Sequence, residues 1–420
     1  MGTEIKRQLY WPYKAMLLVY LVFIVFAFLL DSPDEILRGL IQIITSRSIL
    51  ITDYVELGGI GATLVNSVIV GCFGILLMFS AGIKPNGATI MALWLTTGFA
   101  FFGKNVFNML PLTFGVWLYA KYQRQPFMNY TLNALLVAAI SPIISELTFM
   151  GAFPPPVGLI LGVLLGIGAG FVFPPLSAYL LRVHGGYNLY NLGFTGGLIA
   201  TFVASILKSV GVVIVPVSIW NQGYTFVLAI FLYVISLLLI LFGLCRTNIK
   251  ESFQNVGKMM KQSGRLVTDF YFQFGDSVYL NMGFLCAAAT TTVLLIGGDL
   301  NGPTIGGIFT IVGYGALGKH LRNTSSVVAG AILSTYVNMW DPTSPENTLA
   351  ILFCTALSPI AGQYGWRWGV AAGFLHVNIA LTVGSINNGL NLYNNGFAAG
   401  FVAMLLIPII DAIRRESQEE

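Results

Sequence analysis

The sequence predicts an all-α polytopic membrane protein made of two homologous, inverted halves. Three observations predict this class: a very apolar composition, internal repeats, and basic residues confined to a few loops. Only 9% of the residues are charged, against roughly 25% in soluble domains, whereas 56% are hydrophobic and mean hydropathy is +0.79. At roughly 20 residues per crossing plus loops, the chain has room for about 12 to 15 spanning helices. This composition excludes a soluble enzyme and a disordered chain.

Two sequence blocks occur twice in the chain. The first, Asn86–Ile90 (NGATI), returns as Asn301–Ile305 (NGPTI) 215 residues later. The second, Gly186–Phe194 (GYNLYNLGF), returns as Gly389–Phe397 (GLNLYNNGF) 203 residues later. Further matches at the first offset pair Gly98, Gly103, Lys104 and Asn108 with Gly313, Gly318, Lys319 and Asn323. The chain is therefore predicted to contain two homologous units.

The repeats divide the chain into four parts. We assign residues 1–44 to an N-terminal helix and an interfacial segment, 45–215 to the first repeat, 216–261 to a linking helix with a basic loop, and 262–415 to the second repeat. The apolar run at 15–30 is followed by no small-residue cleavage motif, so we predict a retained helix rather than a signal peptide.

Each repeat contains six apolar segments. In the first repeat they lie at 58–80, 86–103, 106–121, 131–150, 156–181 and 193–213; in the second they lie at 278–297, 301–318, 325–338, 347–363, 367–384 and 396–413. One helix before the first repeat and one between the repeats bring the total to about 14 transmembrane segments, including broken or short helices. Six crossings return the chain to its starting side, so the single linking helix inverts the second repeat. Inverted repeats are usual in secondary transporters, whose pathway lies at the repeat interface.

Charged loops give the orientation. Residues 246–265 carry five Lys or Arg side chains and one acid, so the positive-inside rule places them in the cytoplasm. The loop with Lys121 and Arg124 is basic, whereas its counterpart around Asp341 and Glu346 is acidic. Basic residues near the two ends are Lys6, Arg7, Lys14, Arg414 and Arg415. We therefore predict a multi-pass protein of the bacterial plasma membrane with both termini cytoplasmic.

The first block predicts helix starts that face a polar pathway. Asn-Gly is a turn or helix-start signal, and N–H groups left free at such a start are available to a polar solute. We therefore assign Asn86, Thr89, Asn301 and Thr304 as candidate solute-binding residues. The alternative interpretation is an ordinary loop end with a capped helix.

The second block places carboxamides three residues apart, so each pair shares one face of a helical turn. Carboxamides and tyrosine hydroxyls offer neutral donors and acceptors, and the phenylalanines offer apolar walls. The candidate solute-binding residues of this block are Asn188, Tyr190, Asn191, Phe194, Asn391, Tyr393, Asn394 and Phe397. The GxxxG spacing of Gly193 with Gly197, and of Gly396 with Gly400, indicates close helix packing instead.

Ionisable residues inside a membrane are functional candidates by default. Lys104 and Lys319 match between the repeats, and we assign them as gating or charge candidates; snorkelling to the interface is the alternative. Glu146 and His376 have no counterpart in the other repeat: Glu146 is expected near the outer interface and His376 hydrogen-bonded in the core. No acidic residue falls clearly at mid-depth, which favours a neutral solute over proton-coupled pumping.

Enzyme, metal and nucleic-acid signatures are absent from the sequence. HExxH, GxSxG and paired intramembrane aspartates do not occur, and the glycine runs lack a nucleotide-binding context. The three histidines are isolated, and the four cysteines lie in apolar runs without CxxC spacing. We expect no enzymatic activity, no cofactor and no nucleic-acid partner. The expected partners are a small-molecule solute and the lipid bilayer, and homo-oligomerisation stays open.

With these two blocks the sequence resembles an uncharacterised bacterial family of multi-pass membrane proteins, a domain of unknown function that spans nearly the whole chain. A second resemblance is to urea transporters, which have two inverted halves around a narrow slot. Gly186-Tyr187-Asn188 is similar to part of their Gly-Tyr-Asn-Gly motif, and Met109–Phe114 to a Leu-Pro-rich slot segment. The final glycine of that motif is missing here.

These observations leave three functional hypotheses. The first is a transporter or channel for a small, polar, neutral, urea-like solute at the repeat interface. The second is a sodium- or proton-coupled secondary transporter of the same architecture. The third is a membrane scaffold that transports nothing.

Overall fold

A computed structural model describes residues 10–265, 268–338 and 340–419 and is helical without a β-strand over those ranges. Lys6 and Arg7, used above for orientation, lie outside the described residues, as does the side chain of Arg415. The helices are α1 Trp11–Leu30, α2 Pro33–Ile44, α3 Tyr54–Gly58, α4 Ile60–Ser80, α5 Gly87–Phe99, α6 Val106–Tyr122, α7 Thr131–Leu136, α8 Pro142–Phe149, α9 Pro155–Val183, α10 Asn191–Ser209, α11 Thr225–Cys245, α12 Ile249–Met259, α13 Phe270–Phe274, α14 Val278–Leu295, α15 Gly302–Tyr314, α16 Leu321–Val337, α17 Pro345–Phe353, α18 Ser358–Tyr364, α19 Trp366–Val383 and α20 Asn394–Glu419.

Within the described residues, eight helical stretches are long and apolar enough to cross a bilayer. They are Trp11–Leu30, Ile60–Ser80, Phe127–Phe149, Pro155–Val183, Asn191–Ser209, Thr225–Cys245, Phe270–Leu295 and Asn394–Arg414. These apolar helices indicate a membrane-embedded protein, which confirms the predicted class at this level. Several other helices are shorter than the roughly 20 residues that a crossing needs, so the eight spans do not by themselves give the predicted count of 14.

Each of the twelve predicted segments contains helix, but two of them are interrupted. Segment 131–150 becomes α7 and α8 joined by a 3₁₀ turn at Val137–Ile140, and segment 347–363 becomes α17 and α18 joined by one at Cys354–Leu357. A Ser-Pro pair follows each turn, and proline supplies no N–H to continue the preceding helix. The interruptions therefore have a local cause that is repeated in both halves.

Two short apolar helices, α5 and α15, lie side by side in the centre of the molecule. Each has 13 residues, a length of about 20 Å. A Cβ on Gly98 of α5 would lie 2.9 Å from Phe309 Cβ, and one on Gly313 of α15 would lie 2.8 Å from Trp94 Cβ. Glycine is thus required for the close antiparallel approach of these helices. The aromatic cluster at this contact comprises Phe23, Trp94, Phe101, Phe231 and Phe309.

Helices α10 and α20 cross near their first turns, and the crossing joins the two halves. A Cβ on Gly193 would lie 3.1 Å from the Cα of Gly396, and one on Gly396 would lie 3.0 Å from the Cα of Gly193. Gly197 faces Phe397, and Gly400 faces Phe194. The GxxxG spacing therefore packs helices closely, as its glycines predict.

Candidate functional site

The second sequence block forms a reciprocal contact between the halves. Asn188 Nδ2 donates to the carbonyl of Gly396 at 2.9 Å, and Asn391 Nδ2 donates to the carbonyl of Gly193 at 3.1 Å. Their Oδ1 atoms accept the backbone N–H of Tyr190 and Tyr393, respectively. Both carboxamides are therefore bonded to backbone and fix the loops that lead into α10 and α20.

The other two asparagines of this block differ in their surroundings. Asn191 Oδ1 lies 2.9 Å from His184 Nε2, and its Nδ2 donates to the carbonyl of Ser177 at 3.0 Å. Asn394 Oδ1 accepts a bond of 2.8 Å from Asn387 Nδ2. Equivalent positions in the sequence thus have different partners, and the two sites are not interchangeable.

Lys104 and Lys319 are completely buried, with relative exposures of 0%. The snorkelling interpretation is therefore wrong: neither ammonium reaches the surface of the described chain. Lys319 Nζ donates to the hydroxyl of Tyr190 and, at 2.8 Å, to Thr355 Oγ1. Lys104 Nζ donates to the hydroxyl of Tyr393 at 3.4 Å. Each lysine is thus bonded to the tyrosine of the other half's second block.

The loops that carry the lysines are held by matched devices. Gly103 and Gly318 have positive φ angles of 78° and 113°, a conformation that favours glycine. In the first half Asn66 Nδ2 donates to the carbonyls of Ala100 and Lys104, and in the second Asn281 Nδ2 donates to those of Gly315 and Lys319. Each lysine therefore lies in a fixed break between two helices, and its side chain turns inward from that break.

A central cavity of about 10 Å³ lies between the halves, which is room for about one water molecule. The lining residues are Leu95, Phe99, Leu136, Tyr190, Leu192, Gly193, Thr310, Tyr314, Phe353, Leu392, Tyr393, Asn395 and Gly396. Both halves contribute to this lining. The molecule is closed at this point.

A larger vestibule of about 360 Å³ lies next to the central cavity. Its walls include Leu50, Ser218, Glu346, Ser385 and Asn394. Phe353, Leu392 and Asn395 line both spaces. These three side chains therefore separate the vestibule from the central cavity.

The first sequence block caps α5 and α15. Asn86 Oδ1 accepts from Thr89 N at 2.9 Å, while Asn86 N donates to Thr89 Oγ1 at 2.8 Å. Asn301 and Thr304 form the same capping box in α15. These four candidate residues satisfy helix ends, and none of them lines the central cavity or the vestibule.

A carboxylate from the opposite half completes each of these helix starts. Gly87 N donates to Asp269 Oδ2 at 2.9 Å, and Gly302 N donates to Asp53 Oδ1 at 3.0 Å. Anions are stabilised at helix N-termini. Burial raises the pKa of the Asp53 carboxyl to about 6, and its bonds from backbone N–H groups oppose that rise. These contacts join positions 182 and 249 residues apart, so local spacing in the sequence does not indicate them.

The two unmatched ionisable residues have separate roles. Glu146 is buried and forms an ion pair with Arg47, whose Nε lies 2.9 Å from Glu146 Oε2. His376 is buried, and its Nε2 lies 3.0 Å from Asn395 Oδ1. This agrees with the expectation of a histidine hydrogen-bonded in the core. Asn395 lines both cavities and was missed because the first half has Leu192 at that position.

The structure thus brings together part of the predicted site. Tyr190 and Tyr393 line the central cavity, and Asn394 lines the vestibule. Phe194 and Phe397 pack at the crossing of α10 and α20, with ring centroids 5.9 Å apart. Over the described ranges, no cluster of three or more His, Cys, Asp or Glu side chains has the arrangement of a metal site.

Comparisons with known proteins give a family and no function. No curated protein and no solved structure matches the chain. The comparisons therefore do not show the resemblance to urea transporters. One family, described as "Protein of unknown function (DUF1576)", matches residues 32–209 and 248–412. These ranges cover most of the sequence and include both copies of the two blocks. The chain therefore belongs to this family of unknown function, as its resemblance to an uncharacterised multi-pass family predicted.

Proposed function

We propose that the protein is a transporter or channel that moves a small polar solute through the interface between its halves. The observation that carries the proposal is the central cavity, which both halves line and which shares three lining residues with the vestibule. Polar groups converge there, because the hydroxyls of Tyr190 and Tyr393 bind buried lysines. Binding sites at a repeat interface are typical of secondary transporters.

The proposal includes inverted repeats, and the reciprocal contacts support them. Asp53 binds the start of α15 while Asp269 binds the start of α5. Lys104 binds Tyr393 while Lys319 binds Tyr190. Reciprocal pairs of this kind are expected across a two-fold axis. An axis in the membrane plane relates halves of opposite orientation.

Contacts between loops and helix ends form two groups, and this division supports alternating crossings. One group joins Tyr13 to Ile83, Gly87 to Asp269, Gly185 to Arg265, Gln262 to His320, and Tyr187 to Tyr364. The other joins Asp31 to Gly61, Arg47 to Glu146, Leu50 to Gly389, Ile51 to Val217, and Trp220 to Asp299. Helices that run from one group to the other include α1, α4, α9, α11, α14 and α19. The segments from Tyr187 through α10 and from Gly389 through α20 also do so.

The first group lies on the side of the basic residues 246–265, so we assign it to the cytoplasm. With α5 and α15 counted as short crossings, the chain makes 14 crossings and both termini are cytoplasmic. At about 20 Å each, these two helices are shorter than the roughly 30 Å hydrocarbon core. Their polar ends therefore require protein on all sides, as their burial provides. We place the protein in the bacterial plasma membrane.

Thiol labelling tests the inverted topology. All four native cysteines are free and are first replaced by alanine. We then expect Tyr122→Cys to react only from the cytoplasm and Thr343→Cys only from outside, because the positions lie in corresponding loops of opposite charge. Restoring exposed Cys245 gives a cytoplasmic control. Labelling of positions 122 and 343 from the same side would leave parallel repeats.

Uptake into proteoliposomes tests the function. The panel contains urea and other neutral amides, small anions, and amino acids, each with and without sodium and proton gradients. Uptake of at least one solute above empty liposomes is the expected result, and flux without an ion gradient selects facilitated passage. Strict dependence on sodium or protons would select the coupled mechanism. No uptake of any solute by folded protein would favour a scaffold.

A further inference from the structure

The Lys104 side chain is fully buried and has no carboxylate partner among the described residues. Within the described ranges, the ion pairs closer than 4.0 Å are Arg47 with Glu146 and Arg246 with Asp276. The backbone of Asp53 pairs with that of Phe102 near this loop. The Asp53 carboxylate, however, already accepts hydrogen bonds from backbone N–H groups of other residues. A buried charge needs a partner, because removal from water costs several kcal/mol per ion.

The two lysines differ in the number of bonds that they make. An ammonium group has three donors. Lys319 Nζ uses two of them, to Tyr190 and Thr355, whereas Lys104 Nζ makes one long bond, to Tyr393. The repeat alignment at the Ser-Pro pairs gives Ala138 as the counterpart of Thr355. Lys104 therefore lacks an oxygen that Lys319 has. Its Nζ lies 5.9 Å from the centroid of the Phe99 ring and 5.6 Å from that of Tyr393, and within the described residues Tyr393 is its one hydrogen-bond partner.

Lys104 lines neither the central cavity nor the vestibule, but its neighbours connect it to both. Its neighbour Gly103 is in contact with Leu392, whose Cδ2 would lie 2.3 Å from a Cβ at that glycine. Leu392 separates the vestibule from the central cavity, and Tyr393, the partner of Lys104, lines that cavity. The first turns of α10 and α20 also line it through Gly193 and Gly396. Helix N-termini favour negative charge.

We propose that the solute is a small monovalent anion, bound by the ammonium of Lys104 and the hydroxyl of Tyr393. The proposal rests on the proposed transport function and names its substrate class. It replaces the neutral solute expected from the carboxamides, because those carboxamides bind protein groups. A halide and a small carboxylate share the required chemistry: a single negative charge that accepts N–H and O–H bonds. The closed cavity is too small for such an anion, so binding requires its walls to separate.

Anion-dependent melting of the purified full-length protein tests the site without requiring transport. Melting temperatures are measured in detergent while sodium chloride, nitrate, formate or acetate replaces sodium gluconate at constant ionic strength. For the wild type we expect a saturable rise with at least one of these anions, since a ligand that binds only the folded state stabilises it. A response to chloride and nitrate alone identifies a halide-type site, and one to formate and acetate alone identifies a carboxylate site.

Three variants locate the response. In Lys104→Met the midpoint anion concentration should rise by about tenfold or more, as expected for loss of a charged hydrogen bond. Tyr393→Phe should also raise the midpoint, which keeps the test valid if Lys104→Met folds poorly. The same substitution at an exposed lysine, Lys208→Met, should leave it unchanged. In gluconate, Lys104→Met should melt at or above the wild-type temperature, because it removes an uncompensated buried charge.

The outcomes separate this inference from the proposed function. An unchanged midpoint in both Lys104→Met and Tyr393→Phe, or no saturable response by the wild type, overturns the anion site. In the second case the uptake panel still decides whether a neutral solute is transported. A saturable response that requires Lys104 but comes without uptake of any solute supports the site and overturns transport.

Discussion

Replacing Asp53 by alanine should cause the largest loss of folded protein among single substitutions of the first half. Its carboxylate accepts the N–H groups of Val55, Asn221 and Gly302, at 2.9, 3.0 and 3.0 Å. Loss of this acceptor leaves three N–H groups unpaired in a buried setting, which costs about 3 kcal/mol or more. The expected result is a strongly reduced monodisperse fraction in size-exclusion chromatography and a lower melting temperature.

Two further variants make the Asp53 result specific. Asp53→Asn keeps one carbonyl acceptor and should retain more folded protein than Asp53→Ala. Asp34→Ala removes an exposed aspartate from the first turn of α2 and should change the melting temperature little. If Asp53→Ala behaves like Asp34→Ala, the carboxylate does not hold the halves together, and the reciprocal contact loses its importance.

The second large effect separates two asparagines that are equivalent in the sequence. Asn191→Ala should lower the folded yield, because the Ser177 carbonyl and His184 Nε2 both lose a buried partner at a cost of about 1–3 kcal/mol for each group left unpaired. Asn394→Ala leaves a single buried donor, Asn387 Nδ2, without its partner, so it should lose less folded yield than Asn191→Ala. It should reduce flux or alter selectivity, because the Asn394 side chain lines the vestibule.

Measuring folded yield and transport per folded molecule for both variants distinguishes the two roles. Asn338→Ala is a suitable control, since Asn338 also bonds side chains, those of Ser334 and Asn378, but lines neither cavity. It should lose some stability and keep its transport rate per folded molecule. Wild-type flux and selectivity in Asn394→Ala would show that this asparagine is no part of the pathway.

The sequence predicted the regular part of this fold for clear physical reasons. Apolar runs of about 20 residues form helices in a bilayer, where each backbone polar group needs a partner within the segment. Matches of glycine, asparagine and lysine predict the repeats. The capping boxes of Asn86 and Asn301 also follow from local spacing. Each of these features depends on residues that are close together along the chain.

The remainder of the site depends on residues that are far apart. Contacts such as Asp53 with Gly302 join positions separated by 249 residues, and no spacing rule indicates them. Burial of Lys104 was likewise not predictable, because a lysine at a segment end can snorkel or turn inward. The decisive features, a positive φ at Gly103 and the tyrosine of the other half, belong to the folded chain.

Blocking the vestibule tests most directly the claim that solute passes between the halves. Single cysteines at Ser218 or Ser385, which line the vestibule, are compared with one at Ser209, an exposed position that lines neither cavity. Each variant, without the native cysteines, is reconstituted and treated on both sides with a bulky maleimide before uptake of an identified solute. We predict loss of uptake for Ser218→Cys and Ser385→Cys and unchanged uptake for Ser209→Cys. Full uptake by all three labelled proteins would contradict a pathway between the halves.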